Sequence, residues 1–237
     1  MSTTSHESTS NESGTLLRNR AEILARYRQL REISMKHHHE ILNFVSQDLI
    51  LRQARRLGLA HGRTFVLDDL DEMNYAYDLA IHTAPAPGRS RAIDRYAKSV
   101  KLVPGSDEAL VLDAMQAARF SLLLVERRHE TAGVVATDLV RGTKIWLVDL
   151  GLEISVPDGE AMATRLYTPE DFSMTAGVNV PLDVEAFQDI LAKLPRSLGD
   201  TAFAALIDEP RFPEAIYSIA LASGVSDRVE YQDVSAA

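Results

Sequence analysis

Between positions 16 and 57, apolar residues recur four and three apart. Leu16, Ile23, Tyr27, Leu30, Ile41 and Phe44 fall on one stripe, which Arg20, Ser34 and His37 interrupt. The stretch is rich in Leu, Arg, Glu, Gln and Ala and holds no Pro or Gly before Gly58, so it predicts helix. A stripe of this spacing suits two arrangements. It can lie on the core of its own chain, or it can meet a second copy in a homodimer through Ile23, Tyr27, Leu30, His37, Ile41 and Phe44. A break near residues 34–39 would make a helical hairpin, and Gly58 would end it.

The next apolar runs are shorter. Residues 68–81 predict a second helix, with Asp68, Asp69, Asp71 and Glu72 crowding its first turn, where the helix dipole favours anions. Ala84-Pro85-Ala86-Pro87-Gly88 ends it. Residues 89–103 predict a short helix stopped by Pro104-Gly105, and Ser106-Asp107-Glu108 opens another running to about Arg119.

After Phe120 the period changes. Residues 121–127, 133–140, 143–150, 160–167 and 172–175 read as short strands, with Gly or Pro between most of them. Arg141-Gly142 marks a hairpin. Alternation puts Trp146, Val148 and Leu150 on one face and Ile145, Leu147 and Asp149 on the other, with Trp146 facing the core. From Leu182 the pattern returns to helix, at about 183–194, 198–208 and 213–223. The fold class is therefore α+β: a helical N-terminal half, a small antiparallel β sheet or partly closed barrel, and a helical C-terminal cap. The boundaries are a disordered tail at 1–15, a helical region at 16–118, a small β module at 119–176, C-terminal helices at 177–225 on the same domain, and a tail at 226–237. The first tail follows from eight Ser/Thr in residues 1–14 and no large apolar side chain after Met1.

Composition narrows the function classes. The 237 residues are 46% hydrophobic and 25% charged, as in a soluble globular protein. No run is long and apolar enough for a membrane span, so a cytoplasmic protein with no membrane partner is expected. The chain has no Cys, which excludes thiolate zinc sites and cysteine nucleophiles. Its net charge of −9 is uneven: residues 16–63 carry ten Lys/Arg against four acids. That basic segment could recruit nucleic acid, or it could be drawn to the acidic body of its own chain. The second is favoured, because an acidic body repels phosphate.

No catalytic motif stands out. His37-His38-His39 are successive, and side chains about 100° apart on a helix cannot face one ion. His39-Glu40-Ile41-Leu42-Asn43 lacks the second His of the zinc-protease pattern. Glu126 and His129 have a di-metal helical spacing but lie on a predicted strand. Arg127, Arg128 and His129 are instead a candidate basic patch at the strand's end. Phosphate-binding loops, dinucleotide fingerprints and nucleophile elbows are absent. No catalytic, metal-ligating or cofactor-binding residue is nominated, and no cofactor is expected.

Residues 118–122, 125–129, 133–139 and Trp146-Leu147-Val148-Asp149 together resemble a small β module of uncharacterised bacterial proteins, related to proteins that carry a SEC-C zinc motif. The resemblance implies a β module between helices. The zinc part cannot carry over to a chain without Cys. The expected function is a non-enzymatic interaction or accessory protein that binds itself or another protein. Two other classes stand behind it: a nucleic-acid-associated regulator using the basic helices, and an unrecognised hydrolase.

Overall fold

The structure is a computed structural model that describes residues 19–86, 88–183, 207, 209 and 211–223. The expected tails at 1–15 and 226–237 lie outside these residues, as do almost all of the expected helices at 183–194 and 198–208.

Helix α1 (Arg20–Leu42) opens with a reciprocal cap: Asn19 Oδ1 accepts from the Glu22 N–H, and Glu22 accepts from the Asn19 N–H. It runs unbroken through residues 34–39, where a break was expected. The turn comes instead at residues 43–46, where Ser46 Oγ accepts from the Leu49 N–H and starts α2 (Gln47–Arg56). A two-residue hairpin, β1 (Ala60–His61) and β2 (Thr64–Phe65), follows. Helix α3 (Met73–His82) begins later than expected, after a 3₁₀ turn at Leu70–Glu72. Glu72 does not cap it by its side chain, because that carboxylate accepts from the Asp68 N–H in the turn before. Helices α4 (Ala92–Ser99) and α5 (Asp107–Gln116) complete the helical half, the latter capped by Ser106 Oγ.

The β module has five antiparallel strands: β3 (Arg119–Arg128), β4 (Val134–Asp138), β5 (Lys144–Leu147), β6 (Ala161–Tyr167) and β7 (Met174–Leu182). Their spatial order is β5-β4-β3-β6-β7. The sheet curls into a half-barrel. Register shifts between Val125 and Arg127, and between Thr164 and Leu166, add local twist. The curl brings the two edges together at one end, where the Val148 N–H donates to the Ser173 carbonyl and the Ser173 N–H to the Trp146 carbonyl. The module therefore extends to residue 182, not 176. Its last strand tolerates Pro181 because an edge strand has one unpaired side. Helix α6 (Leu150–Ser155), which the strand pattern concealed, starts where Asp149 Oδ1 accepts from the Gly151 and Leu152 N–H groups.

Both sheet faces are covered. Leu123, Val125, Val134, Ala136, Leu147, Met162 and Leu166 pack under Leu152 of α6. On the opposite face, Phe120, Leu122, Ala163, Val178, Val180 and Leu182 meet α2, α3 and α7 (Arg211–Ser223). A third cluster joins α1, α3, α4 and α5 to Tyr167, Phe172 and Met174. Among the described residues, no helix is long and apolar enough to cross a membrane.

Candidate functional site

A cavity of about 260 Å³ opens where α1, α3 and β7 converge. Its walls are His38, His39 and Leu42 from α1, Asn74, Tyr77, Asp78, Ile81 and His82 from α3, and Ala176 and Val178 from β7. The β7 residues belong to a bulge: Thr164 pairs with Asn179 and Leu166 with Thr175, so residues 176–178 lie opposite Arg165 alone. Bulges re-aim side chains. Here Arg165 leaves an apolar strand and reaches Asp78 on α3.

That reach builds the floor of the site. Asp78 Oδ1 accepts from Arg165 Nε at 2.8 Å, and Oδ2 accepts from Arg165 Nη2 and from the Tyr217 hydroxyl, each at 2.9 Å. Asp78, Arg165 and Tyr217 are all buried. Burial alone would raise the Asp78 pKa, but the Arg165 charge and hydrogen bonds outweigh it and hold the carboxyl below its ordinary value. Burial, and then the same carboxylate, pushes the Tyr217 phenol well up. Asp78 is thus ionised, with both oxygens engaged.

His82 lies one helical turn beyond Asp78 on the same face of α3. It is 8% exposed, and both ring nitrogens are closed off from water with no hydrogen-bond partner. An unsatisfied buried polar group costs about 1–3 kcal/mol. Burial and the nearby Arg165 charge push its pKa well down, so the ring is neutral, with one N–H donor and one lone pair.

His38 has a different assignment. One ring nitrogen, Nδ1, lies 3.1 Å from the Ser34 carbonyl, which can only accept, so Nδ1 carries the proton. Nε2 is left as a lone pair on the cleft wall. Burial and the Arg31 charge lower the His38 pKa to about 4. His39, the third of the run, is exposed at the rim. The expected splay is therefore observed: three histidines take three surroundings. Among the described residues, no group of three or more His, Asp and Glu is placed to hold a metal ion.

The residues nominated from the sequence lie elsewhere. Ile23, Tyr27, Leu30, His37 and Ile41 are buried within the chain, and α1 packs on α4 and α5. Phe44 is half-buried, edge-on to Tyr96 at 5.6 Å. His37 is fully satisfied: its Nδ1 accepts from the Tyr96 hydroxyl at 2.8 Å and its Nε2–H donates to the Glu108 carbonyl at 2.9 Å. Within the single chain, the apolar stripe is covered by the chain's own core. At the end of β3, Arg127 and Arg128 are exposed, and Arg128 lies 3.5 Å from Asp158. His129 leaves that patch and stacks on Trp146, with ring centroids 4.2 Å apart. Burial, then the Arg127 charge, lowers its pKa. Trp146 is half-buried, its indole N–H donating to the Ala132 carbonyl at 2.8 Å.

Several arginines of the basic segment are engaged within the chain. Arg26 holds Asp107 and Glu170, Arg31 donates to the Thr175 carbonyl, Arg55 donates to the Gly62 carbonyl, and Arg56 pairs with Glu214.

Residues 21–201, well over half the chain, match a family of unknown function, DUF7986. The chain belongs to this family. DUF7986 spans α1 to β7 and so takes in every wall of the cleft, whereas Tyr217 lies beyond the matched residues. No curated protein and no solved structure matches the chain. Nothing in these comparisons links it to SEC-C-associated or bacterial proteins.

The cleft was legible in part. His82 and Asp78 are polar groups inside the apolar run Tyr75–His82, and Arg165 is a charge inside a strand that is otherwise apolar or small. An isolated charge in an apolar run signals a buried partner. What the sequence lacks is the pairing itself, because Asp78 and Arg165 are 87 residues apart.

Proposed function

We propose that this chain is an accessory protein that binds a small ligand in the α1–α3–β7 cleft. The observation that carries this reading is His82, a buried ring on the cleft wall with both nitrogens unpartnered. A folded chain keeps such a group at a cost, and a bound ligand that hydrogen-bonds to it offsets that cost. Binding fits the lining better than catalysis does. Among the described residues, no Ser or Thr lines the cleft, and Asp78 is tied up by Arg165 and Tyr217. A general base works best with a pKa near the operating pH, and the Arg165 charge and hydrogen bonds hold Asp78 well below it. The cytoplasmic setting expected from the sequence is part of this reading.

The nucleic-acid alternative has less support, since Arg26, Arg31, Arg55 and Arg56 serve the fold. The test is a fragment screen by protein-observed NMR on the full chain. Hits should shift the methyl signals of Ile81 and Val178. Hits confined to other surfaces, or none at all, would refute the binding reading.

A further inference from the structure

Resting on that binding reading, we infer that the cleft recognises a neutral, planar amide or lactam edge carried on an apolar body, and discriminates against carboxylates and amidinium cations of the same shape. The charge layout sets the first half of this rule. Among the described residues, no Lys or Arg lines the cleft, so an entering carboxylate loses its water and meets no cation there. Asp78, the one carboxylate among the described lining residues, is already neutralised by Arg165 and donated to by Tyr217, so an entering cation finds no free anion. Its charge would also lie near Arg165, and burying an uncompensated ion is costly in either case.

Hydrogen-bond polarity sets the second half. His38 presents the Nε2 lone pair, because its Nδ1–H is committed to the Ser34 carbonyl. The ligand must therefore donate to His38, which a carboxylate cannot do. His82 offers one N–H and one lone pair. Both nitrogens are closed off, so contact requires the ring to turn about its soft χ2 torsion toward the ligand. An amide edge satisfies both rings at once: its N–H reaches a lone pair, and its carbonyl reaches an N–H. An amidinium has donors only and leaves the His82 N–H unpaired. Leu42, Tyr77, Ile81 and Val178 supply the apolar wall for the rest of the molecule. A cavity of about 260 Å³, against roughly 30 Å³ for one water in the liquid, has room for a single ring bearing an amide.

Benzamide, benzoate and benzamidine share a shape and differ in charge, so the three make the probe set. Each is titrated at pH 7.5 into the full chain, with the Ile81 and Val178 methyl signals as readout. Benzamide should shift them at millimolar concentration, and the two charged probes should bind at least about tenfold more weakly. This comparison needs no variant. In His38→Leu and His82→Leu, checked for folding by circular dichroism, benzamide affinity should also fall at least about tenfold. A charged probe that matches benzamide at these methyls overturns the charge rule and leaves the cleft a binding site. Benzamide binding unchanged in both folded variants overturns the histidine contacts. No probe at these methyls overturns the inference, and the binding reading falls with it only if the fragment screen also leaves the cleft unshifted.

Discussion

The Tyr217 hydroxyl donates to Asp78 Oδ2 at 2.9 Å, across 139 residues of chain. This bond ties α7 to the helix that forms one wall of the cleft. It also completes a buried cluster, since the same carboxylate holds Arg165 of β6. One carboxylate thus links helix, sheet and C-terminal helix, and its removal leaves the Arg165 cation buried alone. Asp78→Asn is expected to cost about 3–5 kcal/mol of stability, the range for breaking a buried ion pair from one side. Tyr217→Phe removes one hydrogen bond to a charged group and should cost about 1.5–3 kcal/mol. The double replacement Asp78→Leu with Arg165→Met should cost less than Asp78→Asn alone, because it leaves no orphan charge. Urea unfolding of the four proteins gives the comparison. A double variant that costs as much as Asp78→Asn would show that the Arg165 charge needs no partner.

His82→Leu tests whether the ring serves the fold. The replacement removes two unpartnered buried nitrogens and is close in volume, so stability should stay level or rise by about 1 kcal/mol. Thermal unfolding measures it. A loss of more than about 2 kcal/mol would mean that His82 makes a stabilising interaction in the folded chain.

Acid should destabilise the protein through these same rings. In the unfolded chain a histidine takes its proton near pH 6.5. In the folded chain His38 does so only near pH 4, chiefly because its ring is buried, and His82 is also pushed well down. Between those values the unfolded state binds more protons. The stability is therefore fully present above about pH 6.5 and falls as the pH drops through the window. At pH 5.5 the His38 contribution should have fallen by roughly 1 kcal/mol, and His82 adds a loss of the same sign. Denaturant unfolding at pH 7.5 and 5.5 shows it. The difference should shrink in His38→Gln and in His82→Leu, and an unchanged difference in both would place the effect elsewhere.

Periodicity explains which parts of the fold were readable. The α1 stripe of Ile23, Tyr27, Leu30, His37 and Ile41 was visible because one buried face repeats over 23 residues. Helix α6 was not visible, because its six residues follow a strand and show no period of their own. Strand β7 was read short because Gly177, Asn179 and Pro181 interrupt its apolar alternation, and only its edge position makes those residues acceptable. The candidate site fared worse for a related reason. The run of His37, His38 and His39 drew attention locally, yet only the last two line the cleft, and their meaning depends on Asp78, His82 and Arg165 from distant segments.

Gly133 and Gly142 separate steric demand from backbone strain. Both have positive φ, 76° and 66°. A Cβ on Gly133 would lie 2.2 Å from the Leu147 carbonyl oxygen, whereas one on Gly142 meets nothing within 4 Å. Gly142→Ala should therefore cost only the left-handed conformation, about 1 kcal/mol. Gly133→Ala must also push β5 away at the point where the sheet edges meet, and should cost at least about 3 kcal/mol. Equal unfolding midpoints for the two variants would contradict the close approach of Gly133 to β5.

Leu30 decides how the apolar face of α1 is used. Its side chain is fully buried in the cluster that joins α1 to α4 and α5. If that packing is the role of the stripe, Leu30→Ala removes core contacts and leaves a cavity, at about 2–5 kcal/mol. The sedimentation coefficient of the folded protein should then not change. The same holds for Tyr96→Phe, which takes away the hydroxyl that donates to His37 Nδ1 and should cost about 1 kcal/mol. A stripe that instead joined two copies would behave differently: Leu30→Ala would lower the association constant. Sedimentation of the parent chain and Leu30→Ala, with unfolding curves on the same samples, separates the two. Lost stability with unchanged association is the expected result. Lost association with unchanged stability would show that α1 serves a second copy of the chain.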